Sequence, residues 1–381
     1  MGTLVGIAVC VGNRRAVATA PAESEPTGIM TFADPAMQAL CAKTWGDGTN
    51  ITYEQAREVT EIPKNWAKGN KTITSFDEIK YFKNIAAIGG SAFYGCSSLN
   101  GIILPPSIIT IGWGAFNGCT SLEIADLSLP NLESLSSRAF GGVKITKISN
   151  LGKITAINPS NQDYANIGDK SVLKEVTLPN TIKTIGGHTF DGYSVLETIT
   201  IESGASGISV SQYAFNGLTA LVNFNVDPDC FVSLSHGSFK GFKLFNEITF
   251  QNVTTVGCQA FRGSPISKIK LPSVVTMEAS SNYDGIFSFC PNLVLVDLGE
   301  NCSSIGNQSF GRGVGTSGKD ITLICRAPIP PTLGGTLIST SLVKATIGEI
   351  YVPDDSVEAY KTATNWSAYA NKILPLSQFK G

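Results

Sequence analysis

Apolar and polar positions follow a pattern that repeats about every 24 residues along most of the chain. One position of each repeat carries an aromatic residue, and ten such positions lie 22–26 residues apart. They are Phe93, Phe116, Phe140, Tyr164, Phe190, Phe215, Phe239, Phe261, Phe287 and Phe310. A segment this short cannot bury its own apolar face, so the repetition predicts a solenoid of stacked rungs.

Other positions recur around each aromatic residue. An aliphatic residue stands five positions before it in eight repeats, and a glycine stands two positions after it in seven. A segment of the form L-x-x-I-x-L follows, as in Leu99, Ile102 and Leu104, and a proline such as Pro105 often ends it. The alternation predicts one short parallel strand in each rung, and the glycines suit the turns. The aromatic residues should then stack as a ladder inside the solenoid.

The motif from Ile88 to Pro105, I-G-x-x-A-F-x-G-C-x-x-L-x-x-I-x-L-P, resembles the BspA-like leucine-rich repeat family. The resemblance covers about residues 85–327. It implies a right-handed leucine-rich repeat solenoid, in which short parallel strands alternate with helical turns. It also implies a bacterial cell-surface or secreted protein that is not an enzyme and that binds other proteins in adhesion or host interaction.

Both ends of a solenoid need caps, because the terminal rungs would otherwise expose apolar faces. Helix-start signals at Asp34-Pro35, Thr52 and Ser75 predict a cap of three short helices at the N-terminal side. At the other end, a strand at 350–353 should precede a helix that begins near Asp355. The predicted organisation is a flexible tail at 1–27, a helical cap at 28–84, a solenoid of about ten repeats at 85–347, and a strand–helix cap at 348–381.

The N-terminal tail holds a short apolar run at residues 4–11. No basic residue precedes it, and Arg14 and Arg15 follow it, which is the wrong order for a complete secretory signal. We interpret the run as the remnant of an export signal. A lipid anchor on Cys10 stays open, although the residues before it match a lipobox poorly. The expectation of an extracellular or cell-surface location therefore depends on the family resemblance.

The segment 45–54 has part of the pattern of a calcium-binding loop. Asp47 and Gly48 suit loop positions 5 and 6, but acids are missing from positions 1 and 3, and Glu54 falls too early for the bidentate position. We expect this segment to belong to the cap and to bind no calcium.

The nine cysteines give little sign of special chemistry. Cys96, Cys119 and Cys290 stand three residues after the repeated phenylalanine, where other repeats carry Val143 or Leu218. A position shared with aliphatic residues is a core position, so we predict buried thiols there. A disulfide between Cys96 and Cys119 is the alternative if their rungs are adjacent.

Composition and motifs exclude several functions. The net charge of −2 provides no electrostatic footprint for nucleic acid, and no apolar run reaches the roughly 20 residues of a membrane span. Only two histidines occur, His188 and His236, and nothing in the sequence places either beside a nucleophile and an acid. The glycine-rich run 311–320 resembles a phosphate loop, but Asp320 replaces the required Ser or Thr, and the run precedes a strand. We predict no catalytic residues, no metal and no cofactor.

Function should then lie on the outward positions of the strands, which we expect to line the concave face. These positions are small, polar and mixed in charge, with a few aliphatic residues that could anchor a protein partner. The candidate binding residues are Ile103, Ile124, Asp126, Glu175, Asn223, Asn225, Glu247, Lys268, Lys270, Leu295 and Asp297. Capture of a glycan or nutrient is the alternative, and exposed aromatic residues clustered on one face would favour it.

Overall fold

The computed structural model forms a continuous stack of rungs and describes residues 25–158, 167–279, 284–315, 319–338 and 346–381. Each rung contributes strands to two columns, and all strand pairs within the sheets are parallel. This arrangement confirms the predicted solenoid of short parallel strands, and the structure contains few helices. Most of the predicted tail at 1–27 lies outside the described residues, and so does Tyr164.

The first column, called here the strand face, contains the L-x-x-I-x-L strands. Its strands are Ser75–Phe76, Gly101–Ile102, Glu123–Ser128, Lys144–Asn150, Glu175–Leu178, Thr198–Ile201, Asn223–Asn225, Glu247–Thr249, Lys268–Leu271, Leu295–Leu298, Ile321–Cys325, Ile347–Val352 and Ile373–Pro375. They form sheets of two, five and six strands.

The second column contains the aliphatic residue that precedes each repeated aromatic. Its strands are Glu61–Ile62, Ala87–Ile88, Thr110–Ile111, Ser134–Leu135, Ala156–Ile157, Thr184–Ile185, Ile208–Val210, Phe231–Leu234, Thr255–Val256, Thr276–Met277, Ser304–Ile305 and Thr332–Leu333. The described part of the chain thus has twelve rungs. Glu61–Ile62 and Thr332–Leu333 belong to the two rungs that the aromatic spacing does not reveal.

A third wall of the solenoid, the turn wall, runs from three residues before each repeated aromatic residue to two residues after it. Backbone hydrogen bonds join these turns from rung to rung. The Phe93 N–H donates to the Ala115 carbonyl at 2.7 Å, and the Phe215 N–H donates to the Ser238 carbonyl at 2.9 Å. The turns therefore continue the pairing that the strands make, and they satisfy backbone groups that the core would otherwise leave unpaired.

The aromatic ladder is present wherever the structure describes its members. Phe93, Phe116 and Phe140 stack at centroid distances of 5.1 and 5.4 Å, with nearly parallel rings. A second run extends from Phe190 to Phe310, with successive centroids 5.0–6.1 Å apart. All of these rings are buried. Offset stacking at such distances adds stability beyond the burial of the rings themselves.

The turn wall needs two left-handed residues in most rungs. One is the glycine after the aromatic residue, as at Gly95 and Gly217, where φ is 73° and 74°. The other lies two residues before the aromatic residue and is often not glycine, as at Arg138, His188 and Tyr213, where φ is 54–59°. Left-handed backbone costs a residue with a Cβ about 1–2 kcal/mol, so the hydrogen bonds between rungs must offset this strain.

The α-helices lie near the two ends and span Pro35–Trp45, Tyr53–Glu58 and Val357–Thr362. Short 3₁₀ segments span Asp77–Tyr81, Pro228–Cys230, Asp354–Ser356, Trp366–Lys372 and Leu376–Gln378. The third short helix predicted near Ser75 is the 3₁₀ segment Asp77–Tyr81, and it follows the strand Ser75–Phe76 without a side-chain cap from Ser75. Trp366 is buried near the C-terminus, and its Nε1–H donates to the Pro331 carbonyl at 2.8 Å.

Asp34 joins the first helix to the start of the strand face. Its Oδ1 accepts the Ala36 and Met37 N–H groups as a helix N-cap, and its Oδ2 accepts from the Thr74 N–H, the Thr74 hydroxyl and the Ser75 N–H. Burial by itself would raise the pKa of Asp34, but these hydrogen bonds outweigh it and lower the pKa.

Asp34→Ala is expected to cost about 2 kcal/mol of stability, since it removes an N-cap and leaves donors at residues 74 and 75 without their acceptor. The folded-state pKa of Asp34 is depressed, so its stabilisation is present above the unfolded pKa and is lost as pH falls through the folded one. Urea unfolding at pH 7 and near pH 3 should show the deficit of the variant shrinking at the lower pH. A deficit that does not change with pH would contradict this role.

Candidate functional site

Ten of the eleven candidate residues lie in strands of the strand face, and Ile103 directly follows the strand Gly101–Ile102. Ten of them are exposed or half-buried, and Ile103 has 67% of its surface accessible. Asp297 is different, because only 6% of it is accessible. The inward-outward alternation of the sequence therefore locates the outward positions, but it does not reveal which of them a neighbouring side chain covers.

Asp297 is covered by Arg326 of the next rung. The guanidinium donates from Nε to Oδ1 at 2.8 Å and from Nη2 to Oδ2 at 2.9 Å. This hydrogen bond to the Asp297 carboxylate raises the pKa of Arg326. A bidentate pair of this kind fixes both side chains and connects the rungs, so Asp297 is engaged within the protein.

Several other candidates also have partners on adjacent rungs. Glu175 forms an ion pair with Lys147 at 2.9 Å, and Glu247 forms one with Lys268 at 3.0 Å. Asn223 and Asn225 donate side-chain hydrogen bonds to Thr198 and Thr200 of the preceding strand. Exposed pairs such as these contribute little to stability, but they partly neutralise the middle of the strand face.

The N-terminal third of the strand face is shaped differently. The strands Gly101–Ile102 and Glu123–Ser128 belong to different sheets, so the column is interrupted between them. Pro105 and Pro106 lack N–H donors and therefore cannot extend the pairing beyond Leu104. Among the described strands, none pairs with Glu123–Ser128 on the side that faces Gly101–Ile102.

This interruption leaves a cleft of about 320 Å³. Ile103, Ile124 and Asp126 line it, together with backbone of the open strand. A second cleft of about 270 Å³ lies against Ile103 and is bordered by Lys80 and Lys83. Three of the eleven sequence candidates thus meet at one concave site, which we call the interruption cleft. The sequence contained no clear signal for this cleft, because a proline also follows Leu178 and Leu271, whose strands are paired on both sides.

The turn wall carries exposed aromatic residues that the strand columns lack. Tyr94 and Trp113, from adjacent rungs, lie with ring centroids 6.3 Å apart and an interplanar angle of 11°. Both are substantially exposed, and the Lys68 ammonium lies 5.6 Å from the Tyr94 ring. Sequence reasoning missed this pair because it considered only the outward positions of the strands.

Both histidines lie on the turn wall as well. His188 Nδ1 is 2.7 Å from the Asp191 carboxylate, whose other oxygen accepts from Asn216. His236 Nε2 is 2.7 Å from the Tyr213 hydroxyl, and burial lowers the pKa of His236. The His188–Asp191 pair joins two elements of a catalytic triad, but it lies on an outer wall and is half-buried. The Asp191–Asn216 and Tyr213–His236 contacts connect side chains of neighbouring rungs.

Asp47 occupies the segment that resembles a calcium loop. Its Oδ1 accepts the Thr49 and Asn50 N–H groups at 2.8 and 2.6 Å, and these hydrogen bonds lower the pKa of Asp47. The carboxylate thus stabilises the turn. In the described ranges, no group of three or more acidic, histidine or cysteine side chains could hold a metal ion.

Calcium at millimolar concentration is expected to leave the melting temperature unchanged, because Asp47 already uses one oxygen for the turn. Thermal unfolding followed by circular dichroism, with calcium or with a chelator, tests this expectation. A rise of several degrees that Asp47→Asn abolishes would show that the segment binds the ion.

The three cysteines that follow the repeated phenylalanine are buried and free, as are the other described cysteines. The predicted burial of these thiols is therefore observed, and no disulfide joins Cys96 to Cys119. The Cys96, Cys119 and Cys290 thiols each donate to a backbone carbonyl on another rung, at 3.0–3.1 Å. Cys10 lies outside the part of the chain that the structure describes.

The glycine-rich run 311–320 is described except for residues 316–318. It precedes the strand Ile321–Cys325, as the sequence predicted. Asp320 accepts hydrogen bonds from the Thr346 N–H and hydroxyl at 3.0 and 2.9 Å, so its carboxylate helps to hold the next rung in place.

Two columns of parallel strands, short turns and an internal aromatic ladder define a leucine-rich repeat solenoid, a class that binds macromolecules along extended surfaces. The chain belongs to the BspA type leucine rich repeat region family. Six copies of the family repeat match, over residues 58–167, 165–284 and 210–319. No curated protein matches the chain in sequence.

Solved structures of bacterial leucine-rich repeat proteins are similar to this one. A leucine-rich repeat protein from Bacteroides ovatus is 18% identical, with 84% of this chain and 87% of that chain covered and a TM-score of 0.49. A leucine rich cell surface protein from Faecalibacterium prausnitzii is 18% identical over 63% and 83% of the two chains, with a TM-score of 0.30. The pneumococcal vaccine antigen PcpA is 13% identical over 84% and 76%, with a TM-score of 0.35. Among the residues described, no helix has the length and apolarity to span a membrane.

Proposed function

We propose that this protein is a non-enzymatic binding protein of the cell surface or extracellular space, and that it binds an extended segment of another protein at the interruption cleft. The observation that carries the proposal is the open edge of Glu123–Ser128 beside Ile103. An unpaired strand edge offers backbone donors and acceptors to an incoming extended chain. An exposed aliphatic residue next to it offers the apolar anchor that such contacts need. The family resemblance supports the extracellular part of the proposal.

Lys80 and Lys83 border the site near Ile103, and Asp126 lines it on the open strand, where Glu123 is already paired with Lys144 of the next rung at 2.9 Å. A partner with an apolar residue flanked by charges of both signs would fit this distribution. The middle of the strand face is less suitable, because its charged and amide side chains already contact each other across rungs.

A photo-crosslinking amino acid at position 103 tests this proposal. When the variant is mixed with bacterial or host surface extracts and irradiated, we expect a discrete covalent adduct with a polypeptide. The same group at Val222, which is 66% exposed on the strand face, is the matched control and should label nothing discrete. Ile124→Asp should abolish the adduct at 103. Equal labelling at both positions, or an adduct that survives Ile124→Asp, would refute binding at this cleft.

Glycan capture is a second candidate function, and the exposed Tyr94–Trp113 pair favours it. Parallel aromatic rings can stack against the apolar faces of sugar rings, and Lys68 lies nearby to donate hydrogen bonds. Glycan-array binding that is lost in Trp113→Ala and retained in Ile103→Asp would support this function. Retention in Trp113→Ala would exclude this pair as the platform.

A further inference from the structure

The turn wall has an opening beside Trp113, and backbone hydrogen bonds define the residues around it. The Asn65 N–H donates to the Gly90 carbonyl at 3.0 Å, and the Ser91 N–H donates to the Trp113 carbonyl at 2.8 Å. The first three turns are therefore aligned in register. In this register Lys64, Gly90 and Trp113 occupy equivalent positions, three residues before the repeated aromatic position of each rung.

A second set of equivalent positions lies on the other side of each turn. The Gly69 N–H donates to the Tyr94 carbonyl at 2.7 Å, and the Gly95 N–H donates to the Asn117 carbonyl at 2.7 Å. Lys68, Tyr94 and Asn117 therefore follow one another along the wall, one residue after the repeated aromatic position. Tyr94 thus lies between Lys68 and Asn117 in the direction of the stack.

Gly90 leaves a gap among these side chains. It is half-buried and carries no side chain, and a Cβ added there would make only ordinary contacts, at 3.5 and 3.7 Å, with the Trp113 backbone. The neighbouring Lys64, Lys68, Tyr94 and Trp113 are all exposed. We call this gap, which has Gly90 as its floor and the two aromatic rings and two lysines around it, the glycine opening.

The charge around the glycine opening is positive. The turns of the first four rungs span residues 64–69, 90–95, 113–118 and 137–142. They contain Lys64, Lys68 and Arg138 and no acidic residue, although the whole chain has a net charge of −2. Within the ranges that the structure describes, neither Lys64 nor Lys68 forms an ion pair. Both ammonium groups are therefore available to a negatively charged ligand.

We propose that the glycine opening binds an acidic sugar, which is a sugar residue that carries a carboxylate or sulfate group. The proposal rests on glycan capture, the second candidate function above, and is independent of protein binding at the interruption cleft. The apolar face of the sugar ring packs against Tyr94 and Trp113, and its acidic group accepts charge-assisted hydrogen bonds from Lys64 or Lys68. The floor at Gly90 leaves room for the glycan chain.

The combination of aromatic rings and lysines favours a sugar over an acidic peptide. An aspartate or glutamate side chain offers a carboxylate, but it has only a short methylene stem to contact the rings. An acidic sugar offers the same charge together with a broad apolar ring face. A neutral sugar would pack against the rings equally well, but it would form no charge-assisted hydrogen bond with either ammonium group. The site should therefore select acidic sugars over their neutral counterparts.

A glycan array that contains matched pairs tests this selectivity with the full chain. Oligosaccharides of galacturonate and glucuronate are printed beside their methyl esters, and a sulfated galactose oligosaccharide is printed beside its desulfated form. We expect the acidic member of at least one pair to bind about tenfold more tightly than the neutral member. This preference should shrink as ionic strength rises, because salt screens exposed charges. The pairs also show whether a carboxylate or a sulfate is preferred.

Two variants and a matched control locate the binding site. Gly90→Gln fills the opening, and Gln212 occupies the equivalent position of another rung, so the variant should keep the wild-type melting temperature and lose binding. Lys64→Gln/Lys68→Gln should lose the preference for acidic members. The control Lys174→Gln/Lys361→Gln removes the same charge from lysines that are paired with glutamates elsewhere, and it should bind like the wild type.

The outcomes that contradict the proposal are distinct. Equal binding of acidic and neutral members would overturn the acidic-sugar assignment and leave glycan capture standing, whereas no binding to any glycan would overturn both. Binding that survives in Gly90→Gln would place the ligand elsewhere and overturn the site. A polyglutamate peptide that binds more tightly than every printed glycan would show that the opening takes acidic peptides, and this result would also overturn the proposal.

Discussion

Phe215→Ala is expected to lower the free energy of unfolding by about 3–5 kcal/mol, the range for truncation of a fully buried aromatic residue. Phe215 is the second member of the second ladder run. Its ring stacks on Phe190 at 5.8 Å and on Phe239 at 5.0 Å, and Phe224 packs against it edge-on at 5.6 Å. The substitution therefore leaves a cavity that three rungs share. Urea unfolding followed by far-ultraviolet circular dichroism measures the change.

Two variants calibrate this result. Phe215→Leu retains much of the volume and should cost clearly less than the alanine variant. Ile329→Ala, at a residue that is 78% exposed, should change stability by less than about 0.5 kcal/mol. A loss below about 1 kcal/mol for Phe215→Ala would mean that the ladder does not stabilise the stack.

Arg326→Ala is expected to cost about 3 kcal/mol, because it leaves the Asp297 carboxylate buried without its counter-ion. The carboxylate side chain is 8% exposed, whereas the Arg326 side chain is 40% exposed. Removal of the carboxylate should therefore be milder, since the guanidinium can then be hydrated. The expected order of stability is wild type, then Asp297→Thr, then Arg326→Ala, and unfolding in urea at neutral pH measures it.

A double substitution separates the cost of the unpaired buried charge from the cost of the lost packing. Asp297→Thr places at this position a residue that Thr177, Thr200 and Thr249 already provide on other rungs. Combined with Arg326→Leu, it should recover most of the stability that Arg326→Ala loses, since no buried charge remains. A double variant as unstable as Arg326→Ala would show that packing of the arginine stem, rather than the unpaired carboxylate, sets the cost.

The sequence predicts the rungs because each rung buries apolar side chains at the same positions. Leu, Ile and Phe at fixed spacing have to face inward in every copy, so a period-24 pattern identifies strands, turns and ladder together. The pattern does not identify a rung whose core is filled by other residues. In the first rung Ala67 takes the aromatic position, and the neighbouring Trp66 places its ring 5.7 Å from Phe93. The aromatic spacing therefore does not detect this rung.

The candidate site shows the same limit. Alternation locates Ile103, Ile124 and Asp126 on the outward side, and the structure brings them to one cleft. The sequence does not indicate that Arg326, 29 residues further along, covers Asp297. The sequence also does not indicate that Tyr94 lies beside Trp113 on the turn wall. The left-handed residues of this wall include Ser91 and Arg138 as well as glycines, so no single residue type marks its turns in the sequence. Pairwise contacts between rungs depend on register, which composition does not encode.

The four tryptophans make the two ends of the stack spectroscopically distinct. Trp45, Trp66 and Trp113 lie within the first three rungs and the helices before them, whereas Trp366 lies beside the last strands. The central rungs contain only phenylalanine and tyrosine as aromatic residues. Tryptophan emission therefore reports the ends, while circular dichroism reports the whole stack. In Trp366→Phe, tryptophan emission would report unfolding of the N-terminal end alone. Unfolding of each end can therefore be followed separately from unfolding of the central rungs.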